Sequence, residues 1–470
     1  MIPTRPKRAH KPGAKTMPIR ATSIRAAIAA RLVTLMLAGA TMGGCDTVSD
    51  FFSPGGNDEK LPGERISVMA LGNQLEADPR MEQIEIVLPA AFPNDAWPQP
   101  GGKADNALQH LAASGDLQEL WSTGAGAGSD GEARLTAPPI IADGRIYVLD
   151  AETAVRAFDA ETGKRLWKRE LTPEDENDEE GRGGGVVYDA GQLFVVTGFG
   201  TIHSLDPASG EVKWSSAVGQ PVRAAPSADD GRLFVITSDN QLVALAEEDG
   251  SVLWRHRGIT ESAGILAATS PAISGPTVIA PYSSGELYAI RVENGNPVWN
   301  DSLTRTGNMT SLTELSDIAG RPVIDAGQVF AISHAGRLVS IDERTGERVW
   351  TRDIAGVQTP WVSGGFIFLV NLDAQLIALS RRDGRIRWIT QLQRYRNEER
   401  LIDPIQWSGP VLAGERLLLV SSQGVLARVS PYTGELTEQR ELPDGAYIPP
   451  VVAKETVYIL TDDAELIALR

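Results

Sequence analysis

A short motif recurs along this chain and constrains its fold more than any other feature. Each copy holds an aliphatic residue, a glycine eight positions later and a tryptophan four positions after the glycine, as at Val155, Gly163 and Trp167. The complete copies end at Trp167, Trp214, Trp254, Trp299, Trp350 and Trp388. They recur every 38 to 51 residues, a period at which each repeat forms one supersecondary unit and buries its apolar face by stacking on its neighbours.

The first complete repeat predicts four β-strands. Two β-rich runs, 140–141 and 145–149, are separated by Asp143-Gly144, a strong hairpin signal. After a third run, Asp159 and Gly163 predict a turn, because an aspartate side chain bonds nearby amides and glycine adopts a positive φ. The fourth run carries the tryptophan. Units of four strands that repeat in this way predict the blades of a β-propeller.

A small residue lies two positions after the aliphatic residue in the six complete copies of the motif and in the last partial copy. These residues are Ala157, Ser204, Ala244, Ala289, Ser340, Ala378 and, in the last partial copy, Ala468. Small side chains suit a crowded place where neighbouring sheets meet, so we expect each large tryptophan to fill the space between two blades.

The ends of the chain determine the blade count. A seventh copy runs from Leu426 and has Glu438 in place of the tryptophan, and an eighth stops at Arg470 before its last strand. The run 117–121, which contains Trp121, precedes the first complete unit and can supply that strand. We therefore predict an all-β fold, an eight-bladed β-propeller of four-stranded blades whose last blade is closed by an N-terminal strand. A seven-bladed ring is the alternative if the weak seventh unit packs irregularly.

The N-terminus predicts export. Residues 1–44 hold eight Lys or Arg and no Asp or Glu, and a short apolar run leads to Gly43-Gly44. This order is typical of a signal peptide, and the apolar run is too short for a permanent membrane span. Translation from Met17 would give a signal of ordinary length, which suggests that residues 1–16 are a mis-start.

Cys45 is the only cysteine of the chain and follows the apolar run directly. In this position it resembles the lipobox cysteine of bacterial lipoproteins, which becomes lipid-modified; a soluble periplasmic protein with an unused thiol is the alternative. Residues 45–110 then form a polar tether and a docking segment, in which we expect Trp97 to be a buried anchor, and residues 111–470 form the propeller.

Charge and motifs exclude several functions. The net charge is −17, and no basic stripe with interleaved aromatic residues offers a nucleic-acid surface. No nucleophile elbow or phosphate loop is present, and the histidines are scattered without metal-ligand spacing. The sequence predicts no catalytic residue, no cofactor and no metal site.

The repeat resembles the tryptophan-docking motif of quinoprotein dehydrogenases, as at Ala157-x-Asp159-x-x-Thr162-Gly163-x-x-x-Trp167. Those enzymes are eight-bladed propellers that hold pyrroloquinoline quinone and Ca²⁺ on the axis, and many have a disulfide between adjacent cysteines. This chain has no second cysteine. The resemblance therefore implies the scaffold and not the redox chemistry.

The whole pattern from Cys45 to Arg470 is more similar to the BamB family, non-catalytic lipoproteins of outer-membrane β-barrel assembly. The run 313–323, Thr-Glu-Leu-Ser-Asp-Ile-Ala-Gly-Arg-Pro-Val, resembles that family's connection between blades 4 and 5. The resemblance implies binding to BamA and other subunits of the assembly machinery, and contact with unfolded outer-membrane proteins. The residues it implicates are Leu315, Ser316 and Asp317, with Ile265 and Leu266 in the preceding connection.

The resemblance also implies a location and leaves two other functions open. It places the protein on the periplasmic face of the outer membrane, although Asp46 after the lipobox cysteine favours inner-membrane retention in enteric bacteria. The alternatives to the assembly role are a propeller scaffold of another periplasmic envelope complex and a dehydrogenase that uses pyrroloquinoline quinone.

Overall fold

Eight four-stranded antiparallel sheets follow one another along the chain, as predicted. The computed structural model describes residues 75–130, 133–176, 181–260, 269–304 and 317–470; they belong to one compact unit that begins at Leu75. The first strands of neighbouring blades contact each other from blade 1 to blade 7, so they surround a common axis. The later strands of each blade lie progressively further out.

The strands are short and regularly spaced. The first strand in the chain is β1 (Glu119–Gly124). Blades 1 to 4 are β2 (Ile140–Ala142), β3 (Arg145–Leu149), β4 (Ala154–Asp159) and β5 (Arg165–Glu170); β6 (Gly184–Asp189), β7 (Gln192–Thr197), β8 (Thr201–Leu205) and β9 (Val212–Ala217); β10 (Ser227–Asp229), β11 (Arg232–Ile236), β12 (Gln241–Ala246) and β13 (Val252–Arg257); and β14 (Ala272–Ser274), β15 (Thr277–Pro281), β16 (Glu286–Arg291) and β17 (Pro297–Ser302).

The second half of the ring repeats this arrangement. Blades 5 to 7 are β18 (Val323–Asp325), β19 (Gln328–Ile332), β20 (Leu338–Asp342) and β21 (Arg348–Arg352); β22 (Trp361–Ser363), β23 (Phe366–Val370), β24 (Gln375–Ser380) and β25 (Ile386–Gln391); and β28 (Trp407–Ala413), β29 (Arg416–Ser421), β30 (Val425–Val429) and β31 (Leu436–Glu441). A hairpin of β26 (Tyr395–Asn397) and β27 (Ile402–Pro404) joins blades 6 and 7, and one 3₁₀ turn (Pro79–Met81) precedes the ring.

Blade 8 combines the two ends of the propeller. Its strands β32 (Val451–Ala453), β33 (Thr456–Leu460) and β34 (Glu465–Leu469) are completed by β1, which pairs antiparallel to β34. The predicted closure is confirmed, although β1 begins two residues later than the predicted run. The seventh unit also forms a regular four-stranded sheet, so the ring has eight blades and not seven.

The tryptophans connect each blade to the next. Within a blade, the tryptophan lies opposite the small residue of the neighbouring strand, as Trp254 lies opposite Ala244. Its ring covers the turn glycine of the following blade, as Trp254 covers Gly295. Its indole N–H donates to a carbonyl of that blade; for Trp254 the acceptor is the oxygen of Val292, at 2.9 Å. The small residues are fully buried, because any larger side chain there would occupy the space of the indole.

Blade 7 is the one blade that lacks this tryptophan, and its neighbour is blade 8, which closes the ring. Glu438 of blade 7 stands where the indole would be, and blade 8 has no turn glycine to receive one, because its last two strands come from opposite ends of the chain. Glu438 instead pairs with Arg428 at 2.6 Å, whose guanidinium also donates to the carbonyl of Asp116. The exception in the repeat thus marks the joint where the ring is closed.

A segment before β1 encircles the axis and contacts all eight blades; we call residues 94–111 the belt. One backbone amide from each blade donates to a belt acceptor: Ile141 to Trp97, Tyr188 to Pro98, Ala228 to Gln99, Ile273 to Ala104, Ile324 to Asp105, Gly364 to Gln109, Gly414 to Leu111 and Lys454 to Asn94. Along the chain the belt meets blade 8 first and then blades 1 to 7 in order. The innermost strands would otherwise leave these amides unpaired at the axis.

Large side chains fasten the belt to the ring. Trp97, Leu108 and Leu111 are buried in the largest apolar cluster, which joins blades 1, 6, 7 and 8. Trp97 forms an antiparallel bridge with Ile141, donating to and accepting from its backbone. Within the described ranges, no helix is long and apolar enough to cross a membrane.

Candidate functional site

The outermost strand of every blade has an open edge. In the part of the chain that the structure describes, β1, β5, β9, β13, β17, β21, β25 and β31 each pair with one strand only. Such a strand presents a row of main-chain N–H and C=O groups on its outer side. An extended peptide can add to such a row as a further strand, and the affinity then comes from main-chain hydrogen bonds.

Seven of these eight outer strands also expose a large apolar side chain. The exposed residues are Leu120, Leu166, Val212, Val252, Leu253, Val298, Val349 and Leu436, each between 36% and 47% exposed. They lie one or two positions before the docking tryptophan or its equivalent. The propeller therefore carries a repeated combination of open edge and apolar side chain around its circumference.

The exception is β25 of blade 6, and it is covered by the chain itself. The backbone N–H of Asp78 donates to the carbonyl of Ile386 at 2.9 Å, and the Arg387 side chain donates to the carbonyl of Ile84, also at 2.9 Å. Residues 78–84 thus lie along the start of the one outer strand that exposes no large apolar side chain. The coverage of β25 shows that another segment of the chain can pack against an outer strand of this ring.

Of the five predicted partner residues, the structure describes only Asp317. Ile265, Leu266, Leu315 and Ser316 lie outside the described residues, and their partner contacts stay predictions. Asp317 is 3% exposed, is engaged within the chain, and its carbonyl accepts from the amide of His334 at 2.9 Å. A partner that touches this carboxylate directly would have to displace the surrounding residues.

The residues after Asp317 explain this burial. Ile318 and Ala319 are buried, and a side chain on Gly320 would lie 2.5 Å from the carbonyl oxygen of Gln358. The end of the connection between blades 4 and 5 is therefore wedged against blade 6. The motif fixes where the connection enters the ring, and this packing requires a residue as small as glycine at position 320.

A group of carboxylates lies between blades 2 and 3. Glu247 is 4% exposed, and its Oε1 has no hydrogen-bond partner in the described chain. Burial, together with the neighbouring Asp189, Asp229 and Asp230 carboxylates, raises the pKa of Glu247 to about 8. Burial likewise raises the pKa of Asp229. The fold therefore holds Glu247 protonated at a pH where an exposed glutamate is charged.

Glu247 is expected to make stability fall with rising pH. Because its pKa in the folded state lies above the ordinary value, its stabilisation is complete below pH 4.5 and is lost as pH rises through about 8. The slope is at most about 1.4 kcal/mol per pH unit. Urea unfolding of Glu247→Gln between pH 5 and 9 should give a flatter curve than the parent protein. Glu248→Gln, at the exposed neighbour, should keep the parent slope; equal curves for all three proteins would contradict the assignment.

The residues of the axis do not fit the quinone cofactor of the dehydrogenases that share this repeat. Among the described residues, no group of three or more His, Cys, Asp or Glu side chains is placed to hold a metal ion. The single cysteine, Cys45, cannot form a disulfide between adjacent cysteines. His110, the histidine of the belt, is 3% exposed and binds the carbonyl of Pro89 and the amide of Glu415. We therefore derive no redox step.

Comparison with known proteins places the ring in a family. The model of the family described as outer membrane protein assembly factor BamB matches residues 112–179 and 151–390, more than half of the chain. The chain belongs to the BamB family. BamB of Yersinia pestis is 27% identical over 346 residues, which are 73% of this chain and 86% of that protein. BamB of Xanthomonas campestris is 27% identical over 336 residues, or 70% and 77% of the two chains.

Solved structures agree with the fold. BamB of Moraxella catarrhalis superposes with a TM-score of 0.63 at 17% identity, covering 75% of this chain and 99% of that chain. The quinohemoprotein alcohol dehydrogenase of Comamonas testosteroni gives a TM-score of 0.61 at 14% identity and covers 81% of each chain. At these identities the likeness shows the fold alone, and the same propeller serves both BamB and redox enzymes. The function therefore has to be argued from family membership and from surfaces.

Proposed function

We propose that this protein is a non-catalytic scaffold lipoprotein of the outer-membrane β-barrel assembly machinery, which binds BamA and assists the insertion of outer-membrane proteins. The observation that carries the proposal is the BamB family match over residues 112–390. In this role the protein is exported, lipidated at Cys45 and held on the periplasmic face of the outer membrane. Two or more acyl chains are needed for a stable anchor, since one chain binds only marginally.

The contact with BamA is assigned to the connections between blades 3 and 4 and between blades 4 and 5. Leu266 and Leu315 lie in these connections. A glutamate at either position would place a charge in an interface whose centre is typically apolar. We expect Leu266→Glu and Leu315→Glu each to weaken binding to the purified periplasmic region of BamA at least tenfold, or about 1.4 kcal/mol.

The control for this measurement is Leu401→Glu, which alters an apolar side chain that is 63% exposed on the hairpin between blades 6 and 7. Biolayer interferometry with all three variants at equal salt gives the comparison. If the two connection variants bind BamA as tightly as Leu401→Glu does, the contact lies elsewhere on the ring. If the parent protein shows no binding, the partner assignment is wrong.

The outer strand edges are the surface that we assign to unfolded outer-membrane proteins. Such chains consist of future β-strands of varied sequence, and addition to an open edge recognises main chain more than side chains. Lysine on an edge strand suppresses such pairing. The triple variant Leu166→Lys, Leu253→Lys and Val298→Lys should bind a urea-denatured outer-membrane β-barrel protein of the host several-fold more weakly, measured by fluorescence anisotropy after dilution.

The matched control adds the same three charges away from the outer strands, at Val87, Leu372 and Leu401, which are 68%, 42% and 63% exposed. Both triple variants raise the net charge equally, so a general electrostatic effect changes both. Loss of binding in the edge variant alone supports the assignment. Equal loss, or no loss in either, argues against client binding at the outer edges.

A further inference from the structure

A pocket lies on the axis beneath the belt. Its lining includes Trp97 and Asn106 from the belt, Arg321 at the entry to blade 5, Trp361 from blade 6, and Pro410 and Pro450 from blades 7 and 8. The space in it that water-sized molecules can occupy is about 40 Å³, and the pocket is partly open to solvent. Small-molecule sites have mostly apolar walls and a few placed polar groups, as this lining does.

Two hydrogen-bond donors in this lining have no acceptor. The Nε of Arg321 and the indole Nε1 of Trp97 are both buried and make no hydrogen bond within the part of the chain that the structure describes. The other pocket tryptophan differs, because the indole of Trp361 donates to the carbonyl of Gln109 at 2.7 Å. Buried donors in native proteins are almost always paired, and both of these donors belong to residues that line the same pocket.

The guanidinium of Arg321 also lacks a counter-charge. No carboxylate of the described chain forms a salt bridge with it, although the protein as a whole has a net charge of −17. Burial alone lowers the pKa of Arg321, and no neighbouring acid offsets that effect. A buried cation without a partner is costly, which is why such groups are normally paired. An anion in the pocket would pair with this guanidinium.

The backbone holds both donors in place. The amide of Arg321 donates to Oγ1 of Thr359 at 3.2 Å, and the following carbonyl, of Pro322, accepts from the side chain of Asn106 at 2.8 Å. A residue before proline is restricted to extended conformations. Trp97 is fixed by its two hydrogen bonds to Ile141. The site is thus built before any ligand arrives, which reduces the entropic cost of binding.

We propose that the axial pocket binds a monoanionic carboxylate with an apolar body. The carboxylate accepts from the guanidinium of Arg321 and the indole N–H of Trp97, and the apolar body lies against Trp361 and the prolines. One guanidinium balances one negative charge, whereas a dianionic phosphate would leave a net charge beside apolar walls. This site is separate from the outer strand edges. Arg321 lies at the end of the connection between blades 4 and 5, six residues after Leu315, which is assigned to the contact with BamA.

The test uses phenylacetate and its neutral counterpart phenylacetamide, which share one apolar body and differ in the charge of the polar end. The protein is labelled with ¹⁵N-tryptophan, and the indole N–H signal of Trp97 is assigned with Trp97→Phe. We expect phenylacetate to shift this signal saturably and phenylacetamide to bind at least tenfold more weakly. Absence of saturable binding by phenylacetate, or equal binding of the two probes, would overturn the proposal.

Variants at position 321 separate the site from general effects of charge. Arg321→Met should weaken phenylacetate binding at least tenfold. Arg321→Lys should bind with intermediate affinity, and it takes the place of the methionine variant in the test if that variant does not fold. The control Arg232→Met removes a guanidinium whose Nε is also buried and unpaired but which lies outside the pocket; it should bind like the parent. Unchanged affinity in both Arg321 variants would contradict the site.

Thermal unfolding gives a second readout. Because the buried Nε of Arg321 has no hydrogen-bond partner in the described chain, replacement of the residue by methionine should not lower the melting temperature of the ligand-free protein. Phenylacetate should raise the melting temperature of the parent and leave that of Arg321→Met unchanged, since a ligand stabilises only the state that binds it. A marked loss of stability in Arg321→Met without ligand would assign the residue a structural role instead.

Discussion

Replacement of residues 95–110 by a glycine–serine linker of the same length is expected to destabilise the whole ring. The change removes Trp97 and Leu108 from the core, together with the side-chain acceptors of Gln99 and Gln109. It also frees the segment whose backbone carbonyls accept from blades 1, 2, 4 and 5. Loss of one buried tryptophan alone costs about 3–5 kcal/mol, so the free energy of unfolding should fall by at least that amount. Urea unfolding followed by circular dichroism measures it.

Hydrogen exchange tests the reason for this loss. The belt accepts from the amides of Ile141, Tyr188, Ala228, Ile273, Ile324 and Gly364 in blades 1 to 6, and these amides should lose protection together. The control replaces residues 398–401, the exposed tip of the hairpin between blades 6 and 7, with the same linker type. Unchanged stability and protection in the belt variant would show that the blades hold together without it.

Gly295→Ala is expected to destabilise the protein by about 2–5 kcal/mol. The backbone φ of Gly295 is +75°, and a Cβ there would lie 2.7 Å from Cε3 of Trp254. The positive φ costs an alanine about 1–2 kcal/mol, and overpacking the indole adds about 1–3 kcal/mol. The effect should appear in urea unfolding as a lower midpoint at an unchanged slope.

Gly231→Ala supplies a matched control for the packing contribution. Gly231 has a φ of +74°, but a Cβ there meets nothing within 4 Å. Both substitutions strain the backbone at a positive φ and both reduce the freedom of the unfolded chain. The difference between their unfolding free energies therefore measures the contact with Trp254. Equal destabilisation by the two substitutions would mean that tryptophan docking does not require glycine at this turn.

The architecture of the ring could be predicted from the sequence because each blade carries its own signals. The tryptophan and the small residue of one repeat meet the turn glycine of the next repeat between two consecutive blades, so the recurring motif reports a tertiary contact. The substitution of Glu438 for tryptophan was visible as well. Its cause was not, since it depends on which blade lacks a turn glycine once the ring is closed.

The belt could not be predicted, because six of its eight acceptors are backbone carbonyls of a segment with no periodic pattern. Trp97 was expected to be a buried anchor, and the structure places it in the core; nothing in the run around it indicated contact with eight blades. Asp317 illustrates the reverse difficulty. From the sequence, a polar residue in a connection is expected to be exposed. Here the packing of Gly320 against blade 6 buries the residues before it, including Asp317.

The axial pocket and the open edges also lay beyond sequence reasoning. Arg321 follows a family motif and resembles any surface arginine until its burial and its missing partner are known. The apolar residues of the outer strands, such as Leu166 and Leu253, read as core positions in the sequence. They are exposed because the outermost strand of a blade has no further sheet to cover it.

The measurement that tests the central claim most directly is affinity purification of the full-length protein from detergent-solubilised envelopes of its native host, with mass spectrometry of the recovered proteins. An unrelated lipoprotein with the same tag serves as the control. We expect BamA to be enriched together with the other subunits of the assembly machinery. Reproducible recovery of a different envelope complex without BamA would contradict the assembly role and identify the ring as the scaffold of that complex.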